Sequence, residues 1–170
     1  MPFAARTLSD ARTAAAAREW ATRFQAMRWR AVTEGRHVGF FFEPAGNEWS
    51  WREVVDGNGN GLRTAEVRSG MDRSLTEPRL LSTQHQAVRL ALPTAFAVKR
   101  IPPRSGWISG GDPVRFGAAN LISFAPSGRS SSGTLFLTDD RNRVFGIRLF
   151  GASARVRVWR WDRKEQRWRR

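Results

Sequence analysis

Between Asp10 and Gly35 the chain repeats apolar positions at alternating steps of three and four: Ala17, Trp20, Phe24, Met27 and Ala31. That spacing puts all five on one side of an α-helix. Arg12, Arg23 and Arg30 flank the stripe, while Arg18 and Trp29 lie roughly opposite it. The alanine run from Ala14 to Ala17 has high helix propensity, Ser9 or Asp10 can cap the start, and Gly35 can end it. A helix with one apolar stripe and a polar back covers a sheet. Trp29 has no place in that contact, so it is either a surface residue or a contact for something else.

After Gly35 the period changes to two. Val38 to Phe42 predicts a strand stopped by Glu43-Pro44-Ala45-Gly46-Asn47, and Trp49 to Val55 predicts its hairpin partner. Asp56-Gly-Asn-Gly-Asn-Gly61 predicts a tight loop rich in positive-φ positions. Residues 62–86 carry little pattern beyond one short helix. Ala87 to Leu92 predicts a short strand ended by Pro93, and residues 99–113 an exposed Pro/Gly loop. Leu121 to Phe124, Gly133 to Leu137, Val144 to Leu149 and Arg155 to Trp161 then predict an antiparallel meander. A helix followed by strands is an α+β order. The expectation is a long N-terminal α-helix packed on an antiparallel β-sheet meander, its Trp20/Phe24/Met27 side against strands from the second half. The chain divides into a helical spine (1–35), a β-rich head (36–161) and a basic tail (162–170) of a single domain spanning 1–170.

Composition narrows the partners. The 170 residues are 41% hydrophobic with eight Trp and eleven Phe, enough for a folded core. Lys+Arg is 29 against 15 Asp+Glu, a formal charge of +14. That balance suits an anionic partner, whether nucleic acid, an acidic membrane surface or an acidic protein; an Arg-rich, GC-rich genome produces the same balance. With no cysteine, disulfides and thiolate metal sites are excluded. No apolar run reaches the roughly 18 residues of a membrane span.

Little in the sequence points to catalysis. Asp56-x-Asn58-x-Asn60-Gly61 opens like a calcium loop, but its twelfth position is Val67, with Glu66 one residue early, so a structural turn is the expectation and no metal is assigned. Gly128-Arg-Ser-Ser-Ser-Gly133-Thr134 lacks the lysine of a phosphate loop and leads into a strand. His37 and His85 have no acidic or nucleophilic partner nearby in sequence, and Asp139-Asp140 is ordinary turn chemistry. No catalytic residue and no cofactor are assigned.

The C-terminus is more informative. In Arg155-Val-Arg-Val-Trp-Arg-Trp161, alternation places Arg155, Arg157, Trp159 and Trp161 on one face, with Val156 and Val158 beneath. Arg160, Arg163, Lys164, Arg167, Trp168, Arg169 and Arg170 add charge and one more ring, opposed only by Asp162 and Glu165. Guanidinium groups among flat rings are a pattern for sequence-tolerant nucleic-acid binding. An edge strand with a solvated basic tail reads the same way.

The order of four phrases resembles the GspH/FimT-like minor pilins and pseudopilins of type II secretion systems and type IV pili. They are the N-terminal helix running into Val38-Gly-Phe-Phe-Phe42, the Asp56–Gly61 loop, Ile122-Ser-Phe-Ala-Pro-Ser-Gly128 with Ser132-Gly-Thr-Leu-Phe-Leu137, and Phe145-Gly-Ile with Gly151-Ala-Ser-Ala-Arg-Val-Arg157. The resemblance implies a structural subunit that joins other pilin or pseudopilin subunits, with Trp29 as a candidate contact. It also implies a leader and an apolar half-helix ahead of Pro2, anchoring a periplasmic head in the inner membrane. In FimT-like relatives a Gly-Arg-x-Arg phrase is associated with DNA capture. Here Ala154 precedes Arg155 and the glycine is displaced to Gly151, so that carry-over to Arg155 and Arg157 is partial. The alternative function is therefore a DNA-binding module or pilus-associated DNA receptor.

Overall fold

The first helix is longer than its apolar stripe. The computed structural model describes residues 2–102, 104–141 and 143–170, with side chains from Leu8 onward. In it, helix α1 runs Pro2–Glu34, about 50 Å at 1.5 Å per residue. Ser9 and Asp10 are thus inside the helix and do not cap it. Their side chains serve the tertiary structure instead: Ser9 Oγ donates to Asp139 Oδ2 at 2.8 Å, and Asp10 pairs with Arg143 in a two-pronged ion pair. Gly35, at φ 63°, follows the last helical turn as predicted.

The strands are β1 (Val38–Ala45), β2 (Glu48–Val55), β3 (Arg73–Ser74), β4 (Arg79–Leu80), β5 (Val98–Lys99), β6 (Trp107–Ile108), β7 (Val114–Arg115), β8 (Leu121–Phe124), β9 (Gly133–Thr138), β10 (Val144–Phe150), β11 (Arg155–Asp162) and β12 (Arg167–Arg169). Two short helices, α2 (Thr64–Ser69) and α3 (Leu81–Gln84), lie between β2 and β5. The strands form two five-stranded antiparallel sheets and a small hairpin. The first sheet has the order β3-β2-β1-β8, with β4 also on β2; the second has the order β12-β11-β10-β9-β7; β5 pairs with β6.

The meander is therefore split. Strand β8 leaves its sequence neighbour β9 and pairs with β1 in the first sheet, Val38 opposite Phe124. The cause lies in residues 125–132. Gly128 turns the chain at φ 79°, Ser131 N donates to Ser123 O at 2.8 Å, and Ser130 N donates to Gly151 O at 2.9 Å, drawing the chain across to the second sheet. Gly39 permits the β1–β8 pairing, since a Cβ there would lie 2.1 Å from Ile122 O.

Helix α1 spans both sheets. Ala17, Trp20, Phe24, Met27 and Ala31 are all buried. They join Phe40, Phe42 and Trp51 of the first sheet and Leu135, Leu137, Ile147 and Leu149 of the second in one core. The prediction of a contact with second-half strands was too narrow, because the rings of β1 and β2 also meet the helix. Arg23 clamps this edge: its guanidinium lies 4.5 Å from the Trp51 ring and pairs with Glu19, which meets His85 Nε2 at 2.6 Å beside α3.

Two further departures come from backbone geometry. Residues 87–92 are no strand. Ala87 has φ 66°, and the segment works as a strap: Trp49 N donates to Leu90 O at 3.2 Å in the first sheet, and Arg89 exchanges two bonds with Thr138 in the second. The predicted 99–113 loop contains most of the β5–β6 hairpin, whose Val98 and Ile108, with Leu92 and Ile101, cover Phe136, Val144 and Trp161 on the outer face of the second sheet. Pro103 lies outside the described residues.

Candidate functional site

Strand β11 pairs with β10 in the register Phe150–Arg155, Arg148–Arg157 and Gly146–Trp159. The alternation is the predicted one. Val156 and Val158 pack against the main core beneath α1, so Arg155, Arg157, Trp159 and Trp161 share the outer face. Arg155 is exposed and Arg157 half-buried, its guanidinium 5.5 Å from the Phe150 ring. Among the described residues neither forms an ion pair with a carboxylate. Arg160 faces the other side and is exposed.

The tail does not fray. Residues 162–166 turn the chain so that β12 returns along β11, with Trp161 opposite Trp168. The turn is fixed by Asp162 Oδ1, which accepts from Lys164 N and Glu165 N, both at 3.1 Å. Bonds from these amides, with the charges of Arg169 and Arg160, hold the Asp162 carboxyl below the usual carboxylate range. Arg169 pairs with Asp162 at 2.9 Å and with Glu165, and Arg167 pairs with Glu165. Part of the tail's charge is therefore met within the tail. Lys164 and Arg170 are exposed, and Arg170 lies 4.8 Å from the Trp159 ring.

The rings divide in role. Trp161 is 1% exposed and Trp168 is half-buried, with its Nε1 donating to Lys99 O at 2.7 Å. Trp161 and Trp168 meet at 5.2 Å and 62° and pin the β5–β6 hairpin, so Trp161 offers no open face for a base to stack on. An open ring beside this face is Trp107, 50% exposed, which in sequence is one residue of a Pro/Gly loop with nothing to single it out. With Phe96, Trp161 and Arg163 it lines an open groove of about 330 Å³.

The other candidates resolve separately. Trp29 stands 67% exposed on the back of α1, one turn from Val32 at 43%. In the Asp56 loop the Asp56 carboxylate is occupied by backbone amides: Oδ1 accepts from Asn58 N and Gly59 N, and Oδ2 from Gly61 N at 2.8 Å. Asn58 and Asn60 donate through Nδ2 to Glu66, each at 2.9 Å. Among the described residues no group of three His, Cys, Asp or Glu could hold a metal ion, and no helix is long and apolar enough to cross a membrane.

The comparison that decides the assignment is a family model, type II transport protein GspH, which matches residues 16–159. The chain belongs to the GspH family. No curated protein and no solved structure matches it. As a GspH/FimT-like pseudopilin or minor pilin, it is a structural, non-catalytic subunit, and the family associates with other pilin or pseudopilin subunits. The GspH match spans the helix core, both sheets and β11 up to Trp159, but not the β12 tail.

The family phrase with the displaced glycine has a backbone explanation. Ala154, directly ahead of Arg155, adopts φ 46°, in the left-handed region that favours glycine. The conformation survives without the glycine because Ala154 is 1% exposed and held in the main core.

Proposed function

We propose that this GspH-family subunit works as the extracytoplasmic head of a type II secretion pseudopilus or a type IV pilus, and that the back of α1 is where it meets its neighbours. The observation that carries this reading is Trp29, whose large ring is 67% exposed on a helix that buries Trp20 and Phe24. Isolated exposed apolar side chains are common, but Val32 one turn on extends the surface along the helix axis. An inner-membrane anchor would be supplied by an apolar segment ahead of Pro2, which the upstream reading frame would reveal.

The sequence has no native cysteine, so Trp29→Cys gives a single reactive site. Crosslinking in cells that assemble the fibre should join Trp29→Cys to another pilin or pseudopilin subunit. An Arg160→Cys control at an exposed position of β11 should not join. Equal yields from both positions would reject the helix as the assembly surface.

A second reading rests on Arg155 and Arg157, two cations of the outer β11 face without carboxylate partners among the described residues. In this reading the face and tail, Arg163, Lys164 and Arg170 included, contact DNA phosphates, and Trp107 replaces Trp161 as the stacking ring. Binding to duplex and single-stranded oligonucleotides should weaken steeply with salt. Affinity that is indifferent to salt, or unchanged in Arg155→Gln/Arg157→Gln, would remove this reading.

A further inference from the structure

We infer that the cleft between the β5–β6 hairpin and the outer face of the second sheet is a binding site for a phosphate group, free or as a phosphomonoester. It goes beyond the pilin reading and requires neither the tail nor Trp29. The cleft is small, a cavity of about 20 Å³ that opens to solvent, and four arginines line it: Arg100 and Arg104 from the hairpin turn, Arg115 from β7 and Arg148 from β10.

Strand register builds the floor. Arg115 lies opposite Thr134, Thr134 opposite Arg148, and Arg148 opposite Arg157, a single row across four neighbouring strands. Residues paired in this way point to the same side of a sheet. The opposite wall comes from the hairpin, closed by the bond from Arg100 N to Gly106 O at 2.9 Å. Gly146 lets that wall approach, since a Cβ there would sit 2.4 Å from Ile101 Cδ1.

The electrostatics lack a counter-charge. None of the four cleft arginines forms an ion pair among the described residues, although other arginines pair with carboxylates over much of the surface. Asp112 is near enough to feel the charge of Arg115, but its Oδ1 accepts from Val114 N at 2.7 Å. Arg148 has one weak protein acceptor, Thr134 Oγ1 at 3.4 Å. The Nε atoms of Arg115 and Arg148 are buried with no hydrogen-bond partner. Buried N–H donors are nearly always paired, and like charges do not converge without cost. Burial and the like charge of Arg104 hold the Arg148 guanidinium below its usual pKa, which an anion between them would reverse.

A phosphate group fits this donor set better than a carboxylate does. Its tetrahedral oxygens accept from the hairpin wall and the floor at once, and guanidinium forks match them bidentately. A carboxylate has two oxygens in one plane and offers fewer acceptors to the same four arginines.

The experiment titrates the folded protein with inorganic phosphate and pyrophosphate at constant ionic strength set with chloride, read by calorimetry and by NMR of arginine Nε–H groups. One saturable site is expected, with the Arg148 Nε–H signal shifting. Arg148→Gln and the exposed Arg104→Gln should each weaken binding about tenfold or more, whereas Arg68→Gln, on the exposed side of α2 and with the same change in net charge, should leave it within about twofold. Because Arg104 is on an exposed turn, its variant keeps the test valid if Arg148→Gln misfolds. Equal losses in all three variants, or binding that never saturates, would overturn the site. Flotation with vesicles of phosphatidic acid in phosphatidylcholine separates the sources: capture that depends on Arg148 indicates a headgroup, and titration without capture indicates the free anion. Absence of both rejects the inference.

Discussion

The indole of Trp20 on α1 stands edge-on to that of Trp51 on β2, with centroids 5.0 Å apart and planes at 71°. Phe24, Phe40 and Phe42 complete the cluster around Trp20 at 5.4 to 5.8 Å. Edge-to-face pairs add to the stabilisation that burial alone provides. This contact joins the helix to the sheet made by the first half of the chain, and the remainder of the helix face joins it to the second.

Removing Trp20 should therefore loosen both sheets. Trp20→Ala is expected to cost roughly 3–5 kcal/mol, a large part of a typical domain's stability. Trp29→Ala, made on an exposed ring of the same helix, should stay within about 0.5 kcal/mol of the parent. Urea denaturation followed by circular dichroism compares the two; a similar midpoint for both variants would contradict the packing.

Asp56 links the loop chemistry to pH. Burial pushes its carboxyl pKa up, but bonds from the amides of Gly61, Gly59 and Asn58 outweigh it, so the group ends below the usual carboxylate range. A pKa lowered by folding stabilises the native state above the unfolded value, and that contribution is lost as pH falls through the lowered folded value. Asp56→Asn puts an NH₂ donor among amide donors and should cost about 1–3 kcal/mol at neutral pH. The gap between Asp56→Asn and the parent should close as the solution is acidified, which denaturant midpoints from pH 7 downwards measure.

Ala154 and Ala16 make a paired test of backbone strain. Both are buried, at 1% and 0% exposure. At Ala154, substitution by glycine loses about 0.8 kcal/mol of methyl burial and some chain entropy but recovers about 1–2 kcal/mol of left-handed strain. Ala154→Gly should be close to neutral. Ala16 is in α1, where glycine loses the methyl and about 1 kcal/mol of helix propensity, so Ala16→Gly should cost about 2 kcal/mol. Thermal unfolding of the two variants would separate them by several degrees.

Two glycines should respond unequally to a methyl. At Gly39 the added Cβ meets the backbone carbonyl of Ile122 at 2.1 Å, and at Gly146 the terminal carbon of Ile101 at 2.4 Å. A carbonyl fixed in a sheet cannot give way, whereas Ile101 can change rotamer and lift the hairpin. Gly39→Ala should exceed the roughly 1–3 kcal/mol usual for overpacking. Gly146→Ala should fall within that range and raise hydrogen exchange in residues 98–108. Matching losses with no change in exchange would contradict this account.

The local patterns were read correctly where a short-range period decides the outcome. The stripe from Ala17 to Ala31, the β1–β2 hairpin and the alternation of β11 follow from side-chain direction along a helix or strand. The misreadings occurred where the partner is distant. Ser9 and Asp10 looked like caps because nothing in sequence shows that Asp139 and Arg143 wait 130 or more residues away. Residues 87–92 have strand composition, but Ala87 at φ 66° and the two sheets on either side make them a strap. Trp161 looked available for stacking until the β5–β6 hairpin closed over it. In sequence Arg148 is only one outward position of an alternating strand, and Arg115 lies between the 99–113 loop and the strand that starts at Leu121, where no period places it.

By itself, the sequence determined which residues are apolar and at what period, and hence a helix with one buried side, strands with alternating faces, and membership of the GspH family by the order of its phrases. Only the tertiary structure decided that β8 would join β1 instead of β9, that the tail would return as β12, and that Arg100, Arg104, Arg115 and Arg148 would converge without a carboxylate between them. The physical reason is range. Periodicity is set by bond geometry within a few residues, whereas sheet partners and charge clusters are set by the burial of surfaces that meet only when the whole chain has folded.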